Sequence, residues 1–398
     1  MTSTNWQYLP LNEAAEICDN LRKPINSKER NERISGKDIY MLYPYYGATG
    51  QVGYIDDYLT DGEYVLLGED GAPFLNPFAE KAYIINGKTW ANNHAHILKS
   101  HTSNKFLCYY LNSYNYKGYV SGTTRLKLTQ ASMKRIMVPV PSLEEQHRIV
   151  SRVEELFSQL DSGVETLKKT KEQLKVYRQA VLKEAFESAS SSNSKNLTIN
   201  DLLTKKKKGM TTGPFGTMLK KHEHQSSGVP VLGIENIGKD GFVDGNKIFV
   251  AEEKAKELSA FKVDTDDLII SRSGTVGEIC IVPPHMKNAL LSTNLMRISL
   301  DFDVIRADYF MYLFKSKGVV IDQVKELCKG STRMFLNQTI LKQIIFPVPT
   351  LKIQAKIIET IESRLSVCDS IEQTVDTALQ QAEAMRQSIL KQAFEGKI

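Results

Sequence analysis

Two stretches of the chain carry apolar residues at alternating steps of three and four. In the first, Val153, Phe157, Leu160, Val164, Leu167, Leu174 and Val181 mark the stripe, and Lys171 and Arg178 interrupt it. In the second the stripe is Ile361, Leu365, Cys368, Val375, Leu379, Ala382, Ile389 and Ala393. A seam held for about five heptads predicts a long coiled-coil helix in each place. Pro141 and Pro349 stand just before the two starts, where proline is tolerated. Each arm of about 44 residues spans at most ~66 Å at 1.5 Å per residue. Each seam has the other as its natural partner, so antiparallel pairing is expected, with the remaining segments held at opposite ends. A helical hairpin inside one domain is the alternative, weakened by the ~160 residues that separate the arms.

The arms are copies of one another. Met137-Val138-Pro139-Val140-Pro141-Ser142-Leu143 recurs 208 positions later as Ile345-Phe346-Pro347-Val348-Pro349-Thr350-Leu351. The same offset matches Gln146 with Gln354, Asp161 with Asp369, Arg178-Gln179 with Arg386-Gln387, and Ala185-Phe186-Glu187 with Ala393-Phe394-Glu395. About 19 of 52 aligned residues are identical without a gap, too many for chance. Upstream, Gly122-Thr123-Thr124-Arg125 aligns with Gly330-Ser331-Thr332-Arg333, and Leu128 with Leu336. The chain is therefore two copies of one unit, each a globular part followed by a helical arm.

The globular parts alternate short apolar runs with glycine turns. Tyr64-Val65-Leu66-Leu67 before Gly68-Glu69-Asp70-Gly71 reads as a buried strand entering a turn, and Asp267-Leu268-Ile269-Ile270 before Ser271-Arg272-Ser273-Gly274 as its counterpart. The Ser, Asn and Ala of 188–196 read as a flexible linker. The expected organisation is a globular domain at 1–142, an arm at 143–187, a linker at 188–195, a second globular domain at 196–350 and a second arm at 351–398. The fold class is mixed α/β (α+β): two globular domains separated by two long antiparallel coiled-coil helices, in a pseudo-twofold repeat.

Composition narrows the functional classes. No apolar run approaches the ~20 residues of a membrane span, and residues 1–20 lack the apolar core of a signal peptide, so a cytoplasmic location without membrane association is expected. The five cysteines are scattered, with no C-x-x-C pair to suggest zinc or disulfides. Net charge is only +5, so its distribution matters more than its size. Between Glu80 and Glu144 there is no acid at all, while Lys81, Lys88, Lys99, Lys105, Lys117, Arg125, Lys127, Lys134 and Arg135 alternate with Trp90, five tyrosines from Tyr109 to Tyr119, and the polar Asn92, Asn93 and Thr124. Cations, aromatics and amides together suit a phosphate backbone and base edges. The second unit repeats this weakly with Lys329, Thr332 and Arg333, the lysine run at 205–208, Arg272, Lys220, and a hydroxyl-flanked turn, Thr211-Thr212-Gly213-Pro214-Phe215-Gly216-Thr217. The candidate DNA contacts are thus Lys88, Trp90, Asn92, Asn93, Lys117, Thr124, Arg125, Lys127, Thr212, Lys220, Arg272, Lys329, Thr332 and Arg333. Arg125 and Arg333 lead, because the repeat places them equivalently and arginine is the best bidentate reader of guanine or clamp for phosphate.

Catalytic motifs are missing. The run from Gly47 to Gly53 lacks the lysine of a phosphate-binding loop. Asn76-Pro77-Phe78 is close to the Asn-Pro-Pro-aromatic loop of adenine methyltransferases but lacks the second proline, and it reads as a turn. His94-Ala95-His96 and His222-Glu223-His224 have no third metal ligand placed by sequence. No catalytic or metal residue is therefore assigned.

The whole chain resembles the DNA-specificity subunit of type I restriction-modification systems. The resemblance rests on the helix starts VPVPSLEEQ and FPVPTLKIQ, on GTTRLKL and GSTRMFL before them, on the two AFE arm ends, and on TTGPFGTMLK, VPVLGIENIG and DLIISRSGTVG in the second unit. Lys352-Ile353 departs from the acidic pair seen at Glu144-Glu145. The resemblance implies two target-recognition domains, each reading half of a split sequence in double-stranded DNA. It also implies arms that set the half-site distance and dock methyltransferase subunits, expected to number two. S-adenosylmethionine would sit on those partners, and ATP and Mg on the partner subunits of the complex, among them a restriction-translocase subunit; no cofactor is expected on this chain. Two other readings stay open from sequence: a DNA-modifying enzyme acting alone, and a coiled-coil scaffold unconnected with DNA.

Overall fold

The computed structural model describes residues 6–190, 194–239, 241–273, 276–327 and 335–398. They form two compact units: Met1–Lys169 with Val375–Ile398, and Thr170–Thr374. The arms are single helices, Leu143–Ser190 and Leu351–Phe394, and each contributes one part to each unit. The first helix thus runs into the start of the expected linker, as far as Ser190, and the second globular part opens on the strand Lys195–Thr198.

In the first unit, Gln7–Pro10 pairs antiparallel with Met137–Val140 just ahead of the first arm. A four-stranded antiparallel sheet runs in the order Ala15–Ile17, Ala95–Ser100, Tyr64–Gly68, Ala82–Ile85. A second sheet joins Gly50–Ile55, Tyr43–Gly47, Lys88–Ala91 and Thr60–Asp61, its one parallel pair being Tyr43–Gly47 with Lys88–Ala91. Strand alternation and apolar runs build the core: Val65, Leu67 and Leu98 meet Leu107 and Leu111 of the helix Asn104–Ser113, whose start is capped by Ser103.

The second unit repeats the plan. Lys195–Thr198 pairs with Ile345–Val348 ahead of the second arm. The main sheet runs Met210–Thr212, Leu295–Ile298, Leu268–Ser271, Ile279–Ile281, and the smaller one Ile248–Val250, Val229–Leu232, Leu290–Leu291, again with one parallel pair. The two runs matched by sequence, at 64–67 and 267–270, fall in the third strand of their main sheets.

The arms pair antiparallel within each unit. In the first, Val150 and Val153 pack with Leu390 and Ala393, and Arg386 pairs with Asp161. In the second, Arg178 pairs with Asp369 and with Glu372 at 2.9 Å, and Arg364 with Glu184 at 2.7 Å. The 208-residue repeat makes Arg178–Asp369 and Arg386–Asp161 the same contact twice, once in each unit. Arg178 interrupts the apolar seam because it is one half of that clamp.

The repeated glutamines and arm-end phenylalanines have structural jobs too. Buried Gln146 donates to the Pro141 carbonyl at 3.0 Å and accepts from Thr102, while buried Gln354 donates to the Pro349 carbonyl at 2.9 Å and accepts from the Arg306 amide. Each thereby pins a helix start to its own globular part. Phe186 packs edge-on to Tyr309, and Phe394 to Phe106 and Tyr110, so each arm ends docked on a globular part.

Candidate nucleic-acid interface

Four loops of the first unit meet around an open concavity of about 560 Å³: the hairpin turn at 47–50, the turn after the strand Tyr64–Gly68, the segment at 92–94 and the loop at 121–127. Asp70, Asn92, His94, Thr124 and Arg125 line it. The loop at 121–127 is closed by paired backbone bonds between Ser121 and Lys127, at 3.0 and 2.8 Å. Gly122 is required there, since its φ is +96° and a Cβ would lie 2.4 Å from the Arg125 carbonyl oxygen.

Charge in this cleft is balanced. Arg125 forms an ion pair with Asp70, its Nε lying 2.7 Å from Asp70 Oδ1, with its Nη2 3.5 Å from His94 Nδ1. Lys127 lies 3.4 Å from Glu69, which also pairs with Arg22. Beneath them His96, fully buried, is held between Asp19 at 2.8 Å and the Leu128 carbonyl at 3.0 Å. Burial alone would raise the Asp19 pKa, but hydrogen bonds from His96, the Ile97 amide and Gln130 outweigh it and hold the carboxyl below its ordinary value.

The second unit rebuilds this frame with other side chains. The Glu69 amide bonds to the His94 carbonyl at 2.7 Å, and the Arg272 amide to the Asn294 carbonyl at 2.9 Å. The Leu128 amide bonds to the Glu69 carbonyl, and the Leu336 amide to the Arg272 carbonyl. Gln130 donates to Asp19, and Gln338 to Thr212, both at 3.0 Å. Arg272 thus occupies the place of Glu69, Ser273 that of Asp70, Asn294 that of His94 and Phe335 that of Lys127. Ser273 and Asn294 hydrogen-bond at 3.0 Å, and the Arg272 guanidinium lies 4.6 Å from the Phe335 ring.

The sequence candidates divide on this geometry. Asn92, Thr124 and Arg125 line the cleft, and Asn93 and Lys127 are exposed on the loops that form it. Lys88 is exposed over the Tyr58 ring, and Lys117 is exposed on the turn after the helix Asn104–Ser113. Trp90 corrects the expectation: it is 2 % exposed, donates to the Lys23 carbonyl and packs with Tyr45 and Ile55, so it is core. In the second unit Lys220 is exposed, Thr212 is engaged by Gln338, and Arg272 is half-buried with its guanidinium donating to the Thr293 and Leu336 carbonyls. Burial pushes its pKa down from the ordinary arginine value. Lys329, Thr332 and Arg333 lie outside the described residues.

The acid-free window does not become an acid-free face. Lys105 is paired with Glu154, Arg125 with Asp70 and Lys127 with Glu69, and buried Lys81 is pushed below the ordinary lysine value by desolvation. Tyr116 is buried, Tyr110 donates to the Met137 carbonyl, and Tyr109 packs on Phe157 of the arm. Asp70 lines the cleft and Glu69 stands beside it, although sequence reasoning read both only as part of a turn; their pairing with Arg125 and Lys127, more than 50 residues away in sequence, carried no local signal. Asn76-Pro77-Phe78 is the expected turn, closed by the Phe78 amide on Asn76. Among the described residues no group of three or more His, Cys, Asp or Glu is placed to hold a metal ion, and no helix is long and apolar enough to cross a membrane.

A chain made of two such units, each with the same frame and a portion of both long helices, is a duplicated α/β specificity-type chain, and comparison with known proteins agrees. The model of the type I restriction-modification DNA specificity domain matches twice, at residues 3–176 and 192–381. The chain belongs to that family. A putative type I restriction enzyme specificity subunit of Haemophilus influenzae is 28 % identical over 387 residues, 95 % of this chain and 92 % of that one. The EcoKI specificity subunit of Escherichia coli K12 is 26 % identical over 312 residues, 74 % of this chain and 65 % of its own length. A solved chain from a study of complex assembly and conformational transition in the type I R-M system aligns over all of both chains at 14 % identity with a TM-score of 0.70. The HsdS subunit of Thermoanaerobacter tengcongensis aligns over 99 % of this chain and 97 % of its own, also at 14 %, with a TM-score of 0.53. These likenesses establish the fold.

Proposed function

We propose that this chain is the sequence-reading subunit of a type I restriction-modification complex. Each globular part reads one half of a bipartite site in double-stranded DNA, and the arms set the unspecified spacer and dock two methyltransferase subunits. The observation that carries this reading is the cleft frame, built twice from the same backbone bonds and furnished with different side chains. One frame with two chemistries suits one kind of ligand with two sequences. Methyl transfer, S-adenosylmethionine, ATP and Mg belong to partner subunits on this reading, and a restriction subunit supplies cleavage. The chain alone has no methyltransferase or nuclease activity; stoichiometric site-specific methylation by the purified chain would contradict it.

Exchange of residues 1–142 for those of a relative, followed by genome-wide mapping of methylated adenines, tests the modular reading. One half of the motif changes and the other stays; a change in both halves, or in neither, refutes it. Adding one heptad to each arm, between Leu167 and Leu174 and between Val375 and Ala382, lengthens each by about 10 Å. The spacer should grow by about three base pairs at ~3.4 Å each, with half-site letters unchanged. Neutralising Lys117, Arg125 and Lys127 together should weaken DNA binding and flatten its salt slope by about 0.9 for each phosphate left without its cation. The same change at Lys168, Lys169 and Lys175 of the first arm should do much less.

A further inference from the structure

We propose that Arg125 reads a guanine in the half-site bound by the first unit, and that Asp70 is the positioning residue that aims it. The proposal rests on the DNA-reading function above and specifies one letter within it.

Three features of the cleft point to a base and not to a phosphate. Asp70 pairs with the guanidinium at its Nε, 2.7 Å away, leaving the two terminal nitrogens outside that ion pair. An arginine tied through Nε presents its two terminal nitrogens outward as a planar fork, the arrangement that meets O6 and N7 of guanine in the major groove. Nη2 has a loose 3.5 Å approach to His94, and the side chain is 60 % exposed despite its ion pair. A phosphate clamp needs no such tether, because a phosphate accepts from any edge and in any orientation.

The surroundings hold the fork in place. Gly71 has φ +79°, and a Cβ there would lie 3.3 Å from Arg125 Nε, so a larger residue would press on the guanidinium. Gly122 and the Ser121–Lys127 backbone pairing fix the loop from below. Asp70 itself is anchored by its amide on the His94 carbonyl and by the Gly71 amide on the Leu126 carbonyl. The carboxylate also offsets the cation's charge, which lowers attraction to phosphates in general and leaves geometry to discriminate. In the second unit Ser273 stands where Asp70 does, so this tether belongs to the first half-site.

The test is allelic replacement of the full chain in its own host, with methylated bases mapped genome-wide and the methylated fraction compared at sites differing from the motif by one base. Arg125→Lys keeps the charge and removes the fork. It should relax one guanine of the first half-site by about tenfold or more, leaving the other letters of that half and all of the second. Asp70→Asn should relax the same letter by less, and Glu69→Gln should relax none. Unchanged letters in the second half-site also report intact folding and assembly.

Several results overturn the proposal while leaving the proposed function intact: a first half-site without guanine, a uniform loss of methylation from Arg125→Lys with no letter relaxed, or relaxation of different letters by the two variants. If Arg125→Lys abolishes all methylation, an unchanged motif in Asp70→Asn counts against it. A wild-type motif that is not bipartite overturns both this proposal and the proposed function.

Discussion

The turn after the third strand of the main sheet can be compared directly between the two units. In the first, Glu69 and Asp70 each hold a cation, Lys127 and Arg125. In the second, a cation has taken the place of Glu69: Arg272 lies against Phe335, the residue that replaces Lys127. Charge sign is reversed at one position and removed at its neighbour, yet the backbone bonds, and the leucine and glutamine that support them, are the same. The pair therefore separates what the fold needs from what the surface is free to vary. Leu128, Leu336, Gln130 and Gln338 hold the frame; the turn residues and their contacts supply the chemistry.

That separation can be broken most severely at the frame. Leu128 and Leu336 are both fully buried. Truncation of either to alanine should cost about 2–5 kcal/mol, with similar values at the two sites. Chemical denaturation of the single variants measures this, and a large asymmetry would show that the frames are not equivalent. The arm clamps should respond unequally. The Arg178 side chain is only 10 % exposed and holds two carboxylates, whereas that of Arg386 is 33 % exposed and holds one. Arg178→Ala should cost about 1–3 kcal/mol, below the value for a fully buried pair because Asp369 is open to water. Arg386→Ala should cost less than about 1 kcal/mol through its ion pair.

Acid sensitivity sharpens the contrast further. Hydrogen bonds hold the Asp19 carboxyl below its ordinary value against the opposing effect of burial, so the folded state favours its ionised form. The resulting stability is complete above the unfolded value of about 3.9 and is lost as pH falls through the lower folded value. Thr212 occupies the equivalent place in the second unit and has no such titration. Stability measured against pH should therefore fall less steeply below about pH 4 in Asp19→Asn than in the parent. The smallest effect is expected on the surface: a double-mutant cycle between Glu69→Ala and Lys127→Ala should give a coupling of no more than about 1 kcal/mol, since the Lys127 side chain is half exposed.

The arms were the most legible part of the sequence. Their seams, their proline-marked starts and their 208-residue offset are local patterns, and the residues of both seams are buried or half-buried in the structure. The repeat also flagged Asp161, Arg178, Asp369 and Arg386 as equivalent, but that they clasp one another crosswise depends on antiparallel register, which no single stretch encodes. The cleft was legible only in part. Arg125, Thr124 and Asn92 stood out by type and spacing, whereas the acid-free window misled about charge. Its cations are met by Glu69, Asp70 and Glu154, residues on either side of the window that the fold brings in. Trp90 was misread because residue type within the window does not report burial: Thr89, Trp90 and Ala91 are buried in succession on their strand.

The docking of Phe394 on Phe106 bears on how the protein is made. The first globular part precedes the residues that finish its unit, Val375–Ile398, by roughly 230 positions of the chain. At ~5–20 residues per second a ribosome needs on the order of 10–50 s to cover that stretch. For that time the apolar face formed by Phe106, Ile149, Val150 and Val153 waits without its cover. Synthesis order thus leaves the first unit open until the second globular part has been made.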